Sequence, residues 1–475
     1  MVGRKKEIKE LNRLYEGGRA ELIAIHGRRR VGKTYLVDET FAGHFTFRHA
    51  GLSPDAGESK GLLKEQLEHF YHSLELFGME KTQKPASWME AFFLLEKFLQ
   101  EKDSGERQVV FLDELPWMDT PKSGFMRAFE GFWNNWGCHR KNLMVIVCGS
   151  ANSWILNKLI NSHGGLYNRV TCEIQLSPFS LSECEEFFES RNIALSKYDI
   201  AQSYMIFGGI PYYLGYFDGE LSFAQNVDRL IFSRNARLKE EYNKLFGSLF
   251  TNPHSVKQLV EFLYSRRYGY TRREITEHLK ISDNGRLSND LNALIASGFA
   301  VKYIPFGKNK RSIYYKLTDP FCLFWLQFVK NGSGKDEKFW QHNLNAQQIV
   351  VWRGLAYETV CFNHINQIKK ALGIAGVSTD SSAWPDTDNT EKTQIDLLLS
   401  RSDNVINMCE IKYYSDNFTV DKDYYRHLLH RQQLLAQKVS PKISVRGTLI
   451  TTFGLSKNEY SGIFTNVITL EDLFS

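Results

Sequence analysis

Residues 27–34 read Gly-Arg-Arg-Arg-Val-Gly-Lys-Thr, the G-x-x-x-x-G-K-[ST] spacing of a phosphate-binding loop. Gly27 and Gly32 let backbone N–H groups turn toward an anion with no side chain in the way. A helix opening at Lys33 adds its positive N-terminal end. Lys33 reaches the β- and γ-phosphates in such a loop, and the Thr34 hydroxyl holds Mg²⁺. Arg28, Arg29, Arg30 and Val31 complete the loop around the nucleotide. The three arginines could contact phosphate or a neighbouring subunit, or simply form a solvated loop, and for Arg28 the solvated reading is preferred. A second apolar run, Gln108-Val109-Val110-Phe111-Leu112-Asp113-Glu114, ends in two carboxylates. Asp113 suits a metal, mostly through water, and Glu114 suits polarisation of an attacking water. Together the two motifs make hydrolysis of ATP or GTP the leading chemistry.

The elements that must position these residues are legible around them. Leu22–His26 is a buried-strand pattern before the loop, and Thr34–Glu39 opens a helix after it. Further strands are expected at His44–Arg48, Val109–Asp113, Leu143–Gly149 and Thr171–Leu176. Leu143–Gly149 ends in small polar residues, where Ser150 would sense a γ-phosphate. Short apolar runs alternating with helical patterns indicate a parallel α/β sheet with an inserted strand.

A chain of 475 residues is too long for one core, and 43% hydrophobic with 24% charged residues describes a globular protein. The formal net charge of +5 permits local basic patches without arguing for nucleic acid. Seven scattered cysteines without a C-x-x-C pair signal neither a zinc site nor a disulfide framework. Free thiols and a charged start without an apolar signal segment point to the cytoplasm, and no stretch approaches membrane-spanning length.

Four domains are expected: 1–179, the P-loop core; 180–242, a helical lid; 243–330, a winged helix; and 331–475, a separate α/β domain. Ser180 with Glu183 forms a capping box at the start of the lid. Helices at Val256–Tyr264, Thr271–Leu279 and Leu287–Ser297 precede two alternating runs, Phe299–Ile304 and Ser312–Leu317, the order of a winged helix. Arg266, Arg267, Arg272, Arg273, Lys308, Lys310 and Arg311 would give it a basic surface for DNA. Arg286 and Asn289 would begin the recognition helix. A winged helix that packs on the ATPase is the competing reading. Phe321, Phe324, Trp325 and Phe328 form a stripe read as core. Asn331–Lys335 reads as a linker.

Beyond that linker a helix, two strands, a helix and a strand are expected. Asp396 lies on one strand, Glu410 and Lys412 on the next, and the last two share a face. Asp396 is placed near the hairpin turn at Asp403-Asn404. Glu358 stands upstream on a helical run. Two or three carboxylates with a lysine suit a hydrolytic Mg²⁺ site, with Asp396 and Glu410 on the metal and Lys412 positioning water. The ordinary alternative is a solvated charge pair.

The chain resembles the archaeal-type P-loop ATPases of the AAA+/STAND group. The resemblance rests on Val2-Gly3-Arg4-Lys5-Lys6-Glu7, Arg29–Thr34, Asp113-Glu114, Gly149-Ser150-Ala151, Leu166-Tyr167-Asn168-Arg169 and Gly208-Gly209-Ile210-Pro211. It implies an arginine finger at Arg169, acting across a homo-oligomer, and a nucleotide contact at Pro211. Asn168 departs from the usual glycine, and Ser150 is shorter than the usual sensor. The C-terminal half resembles PD-(D/E)XK nucleases, whose motif residues fall on Ile395-Asp396, Glu410-Ile411-Lys412 and Glu358. The resemblance implies ATP and Mg²⁺ as cofactors and an ATP-switched, DNA-processing endonuclease. The alternative is a STAND-like regulator or scaffold that binds DNA or a protein partner without cutting.

Overall fold

The computed structural model describes residues 2–53, 62–150, 152–160, 164–250, 252–309, 311–332, 336–386 and 393–475. Ala151, Lys310 and residues 333–335, which carried expectations above, lie outside them. The chain forms two compact units, residues 1–177 with 247–251 and residues 178–246 with 252–475.

In the first unit, strands β1 (Glu21–Gly27), β2 (Phe45–Ala50), β3 (Gln108–Asp113), β4 (Leu143–Gly149) and β5 (Cys172–Leu176) form a sheet of order β2-β3-β4-β1-β5. Every pairing is parallel. β1, β3 and β4 are buried along their whole length, which explains their continuous apolar runs. β4 stands between β1 and β3, the inserted strand of the sequence reading. The register His26 with Gly149, and Leu112 with Val147, brings the ends of β1, β4 and β3 side by side. Helices Leu62–Leu76, Trp88–Glu101 and Phe125–Asn135 cover the sheet with a core rich in aromatics, among them Phe70, Trp88, Phe92 and Phe129.

The second unit begins with helices. Ser180 and Glu183 make the expected capping box at the head of Leu181–Glu189. Helices Pro253–Tyr264, Arg272–Leu279 and Gly285–Ala296 follow, with β6 (Tyr270–Thr271), β7 (Ala300–Tyr303) and β8 (Tyr314–Leu317) in an antiparallel sheet of order β6-β8-β7. Asn284 caps the third helix by accepting from the N–H groups of Arg286 and Leu287. The stripe Phe321, Phe324 and Phe328 is buried, and Trp325 stacks on Tyr242 at 4.1 Å.

Asn331-Gly332 ends a helical turn but does not separate two cores. Trp340, beyond the break, packs edge-on against Phe324 and Phe328, before it. The described residues on both sides of that break fall in the same compact unit. The last sheet also exceeds the expectation. It contains β9 (Thr379–Asp386), β10 (Thr393–Arg401), β11 (Val405–Lys412), β12 (Ser444–Thr451) and β13 (Phe464–Ile468), in the order β13-β12-β11-β10-β9. The edge strands β9 and β13 were not expected. β10 and β11 are an antiparallel hairpin, while β11, β12 and β13 run parallel.

Candidate functional sites

The loop after β1 is shaped by backbone geometry. Gly27 has φ 148°, Gly32 has φ 90° and Arg30 has φ 72°. A Cβ on Gly27 would collide with the Leu176 carbonyl on β5. Helix Lys33–Thr40 starts directly behind Gly32. The buried Lys33 ammonium donates to the carbonyls of Gly27 (3.0 Å) and Arg28 (3.1 Å) and to Ser150 Oγ (3.2 Å). Thr34 Oγ1 donates to Asp113 Oδ2 at 2.8 Å. Glu114, at φ 45°, accepts from the Ser150 N–H (3.1 Å) and from Ser150 Oγ (2.9 Å). Lys33, Thr34, Asp113, Glu114 and Ser150 thus form one connected network across the ends of three strands.

Arg28 is buried, which corrects its reading as a solvated loop residue; Arg29 and Arg30 are half-buried. Val31 is buried, and its carbonyl accepts from the guanidinium of Arg4 at 3.0 Å. Arg4 thereby ties the N-terminal segment to the loop. Arg169 is exposed, and its side chain makes no ion pair among the described residues. Asn168 has φ 54°, a left-handed conformation that asparagine tolerates, so the departure from glycine costs little. In the second unit, Gly208 and Gly209 both have positive φ, and Pro211 opens the short helix Pro211–Leu214. The Gly209 carbonyl accepts from the Phe179 N–H at 2.8 Å, which gives the turn a packing role.

The second cluster lies on β10 and β11. Leu397 pairs with Cys409 and Leu398 with Met408. One further step of that register sets Asp396 opposite Glu410, at the hairpin end away from the Asp403-Asn404 turn. The expectation that Asp396 lies near the turn is corrected accordingly. Glu410 is buried and almost saturated: Lys412 Nζ is 2.9 Å from Oε1, Arg431 Nη1 donates to Oε2 at 3.1 Å, and the Tyr424 hydroxyl donates to Oε1. Burial, then the Glu410 charge, pushes the Asp396 carboxyl above its ordinary range, against the pull of Arg267, Lys412 and Arg431. Glu358, buried on helix Gln347–Asn363, is ion-paired with Arg267.

A divalent cation between Asp396 and Glu410 would offset both the burial that chiefly raises Asp396 and its repulsion from Glu410. Among the described residues no three His, Cys, Asp or Glu side chains form a ready ligand set, consistent with Glu358 being turned to Arg267. Tyr424 and Arg431 were missed in the sequence. They lie seven positions apart on helix Lys422–Lys438, a spacing that puts both on one face, but nothing local says that the face meets Glu410.

The expected basic surface of residues 266–311 is largely neutralised. Arg266 pairs with Glu274, Arg272 with Asp283 and Arg273 with Glu277. Arg286, Asn289 and Arg311 are exposed, and Lys308 is half-buried. Among the described residues no helix is long and apolar enough to cross a membrane.

Residues 1–217 match the profile of a family described as an ATPase domain predominantly from Archaea. The chain is 24% identical over 442 residues to the uncharacterised protein MJECL04 of Methanocaldococcus jannaschii, covering 91% of this chain and 92% of the relative. Among solved structures it is similar to a Walker-type ATPase of Pyrococcus abyssi, with 21% identity, a TM-score of 0.47, and coverage of 69% of this chain and 96% of that one. It is also similar to the ORC2 protein of Aeropyrum pernix, at 13% identity, a TM-score of 0.39, and coverage of 73% and 96%. The matched segment, residues 1–217, contains Lys33, Thr34, Asp113, Glu114 and Ser150.

Proposed function

We propose that the chain is an Mg²⁺-dependent ATP hydrolase whose second unit carries a winged helix and a metal-dependent phosphodiester-cleaving site, so that it acts as an ATP-switched DNA-processing protein. The observation that carries the ATPase reading is the network of Lys33, Thr34, Asp113, Glu114 and Ser150. Lys33 is held by neutral oxygens, so its charge is available to an incoming phosphate. Thr34 and Asp113 already share a hydrogen bond, and together they suit an Mg²⁺ ion, which when bound neutralises charge on the phosphates. Glu114 holds its carboxylate beside Ser150 and serves to polarise water. Arg169 would complete the site from a second copy, and Pro211 would report on the nucleotide. Cytoplasmic location fits the free thiols.

The test is steady-state ATP turnover beside nucleotide binding. Lys33→Ala should abolish tight binding. Glu114→Gln should keep binding and lower turnover by about 10²-fold or more, the scale of a lost general base. Equal turnover in Glu114→Gln and wild type would remove Glu114 from this role.

The cleavage reading rests on Asp396 opposite Glu410 with Lys412 at the same carboxylate. A second reading, a nucleotide-dependent regulator that binds without cutting, draws support from Glu410 being held by three donors. The domain limits 1–179, 180–242, 243–330 and 331–475 belong to this proposal.

A further inference from the structure

Two cations of the segment read as a winged helix face the carboxylates of the C-terminal sheet. Arg267, in the turn after helix Pro253–Tyr264, is ion-paired with the buried Glu358. Its guanidinium also acts on Asp396. Lys316, on β8, is half-buried over the Phe362 ring at 5.2 Å and feels both Arg267 and Asp396. The segment is anchored beside this contact. The Phe306 N–H, in the loop between β7 and β8, bonds the Ala383 carbonyl on the edge strand β9 at 3.0 Å, and Phe306 joins the core cluster of Trp384. A cavity of about 320 Å³ lies between the same elements, lined by Arg267, Lys316, Trp352 and Glu358.

We infer that Arg267 is an internal plug: it occupies, through Glu358, the third carboxylate of the C-terminal site and keeps that site closed to divalent cations until the winged helix moves away. The physical argument is one of competition. A guanidinium and a hydrated dication both satisfy a buried carboxylate, and Glu358 cannot serve both at once. A buried carboxylate stripped of its partner is costly, so the contact opens only when something replaces it. The inference rests on the reading of Asp396 and Glu410 as a metal site, and it adds the regulation of that site.

The test uses the full chain without nucleotide and follows Mn²⁺ binding by electron paramagnetic resonance, with Asp396→Asn as the reference for binding elsewhere. Arg267→Ala should tighten the Asp396-dependent Mn²⁺ site by about tenfold or more, and Arg267→Lys should stay near wild type. The gain should vanish in Arg267→Ala/Glu358→Gln, because the freed carboxylate is what the metal acquires. A gain that survives in this double variant reflects general charge removal and overturns the plug. Equal Asp396-dependent binding in wild type and Arg267→Ala overturns the plug while leaving the metal site standing. No Asp396-dependent Mn²⁺ in any variant overturns both. Should Arg267→Ala fail to fold, Arg267→Gln carries the same comparison, and thermal unfolding of each variant checks that the fold is kept.

Discussion

Lys316 gives a prediction whose sign and size follow from its surroundings. Burial first, and then the neighbouring Arg267 charge, push its ammonium from 10.5 down to about 8, against the attraction of Asp396. At 1.36 kcal/mol per pH unit, the gap between 10.5 and 8 is about 3 kcal/mol. Above pH 10.5 the amine is neutral in both folded and unfolded chains and adds nothing. Between 10.5 and 8 the unfolded chain holds a proton that the folded chain does not, so stability falls as pH falls. Below 8 both are protonated and the full cost is present. Lys316→Met should therefore stabilise the second unit at pH 7 by up to about 3 kcal/mol, a figure that already includes the attraction to Asp396. The advantage should shrink toward zero as pH approaches 10.5. Urea midpoints at pH 7, 8.5 and 10 measure the difference. Trace acetylation read by mass spectrometry gives the titration of Lys316 itself. A difference that stays constant from pH 7 to 10, or a labelling midpoint near 10.5, would refute the reasoning.

Two further outcomes are expected. Asp396→Asn or Glu410→Gln should abolish Mn²⁺-dependent nicking of supercoiled DNA and leave ATP turnover intact; nicking that persists in both would remove the second site. Gly27→Ala should destabilise the first unit by about 3 kcal/mol or more, because its Cβ meets the Leu176 carbonyl at a φ that disfavours side chains. Gly18→Ala, also at positive φ but in open space, should cost only about 1 kcal/mol, and equal melting shifts in the two variants would contradict the clash.

The parts visible in the sequence are those written in short-range pattern. β1, the loop behind it, β3 with its terminal carboxylates and the Ser180 box each declare themselves within eight or so residues. β9 did not, because Thr379-Asp380-Ser381-Ser382 offers no apolar alternation at the edge of its sheet. β13 is only Phe464–Ile468, with Thr465 and Asn466 inside it. Asn331-Gly332 was legible as a break, but the packing of Trp340 on Phe324 and Phe328 across it was not. Lys412 was legible beside Glu410, but the other partners of Glu410 and the partner of Glu358 were out of reach as well. Arg267, Tyr424 and Arg431 are ordinary surface types until the tertiary fold delivers them to a buried carboxylate.

The two sites differ in how their charge is balanced, and this bears on their control. Among the described residues the hydrogen bonds of Lys33 go to carbonyl and hydroxyl oxygens, which under the proposed function leaves its charge for a phosphate. On that reading an entering phosphate gains a charge-assisted interaction with Lys33. In the second site, Asp396, Glu410 and Glu358 are already answered by Lys412, Arg431, Arg267 and Lys316. A dication entering there adds positive charge to a cluster with no negative charge left over, which is unfavourable unless Arg267 and Lys316 withdraw. On the plug inferred above, moving residues 253–317 acts more strongly on the second site than raising the metal concentration.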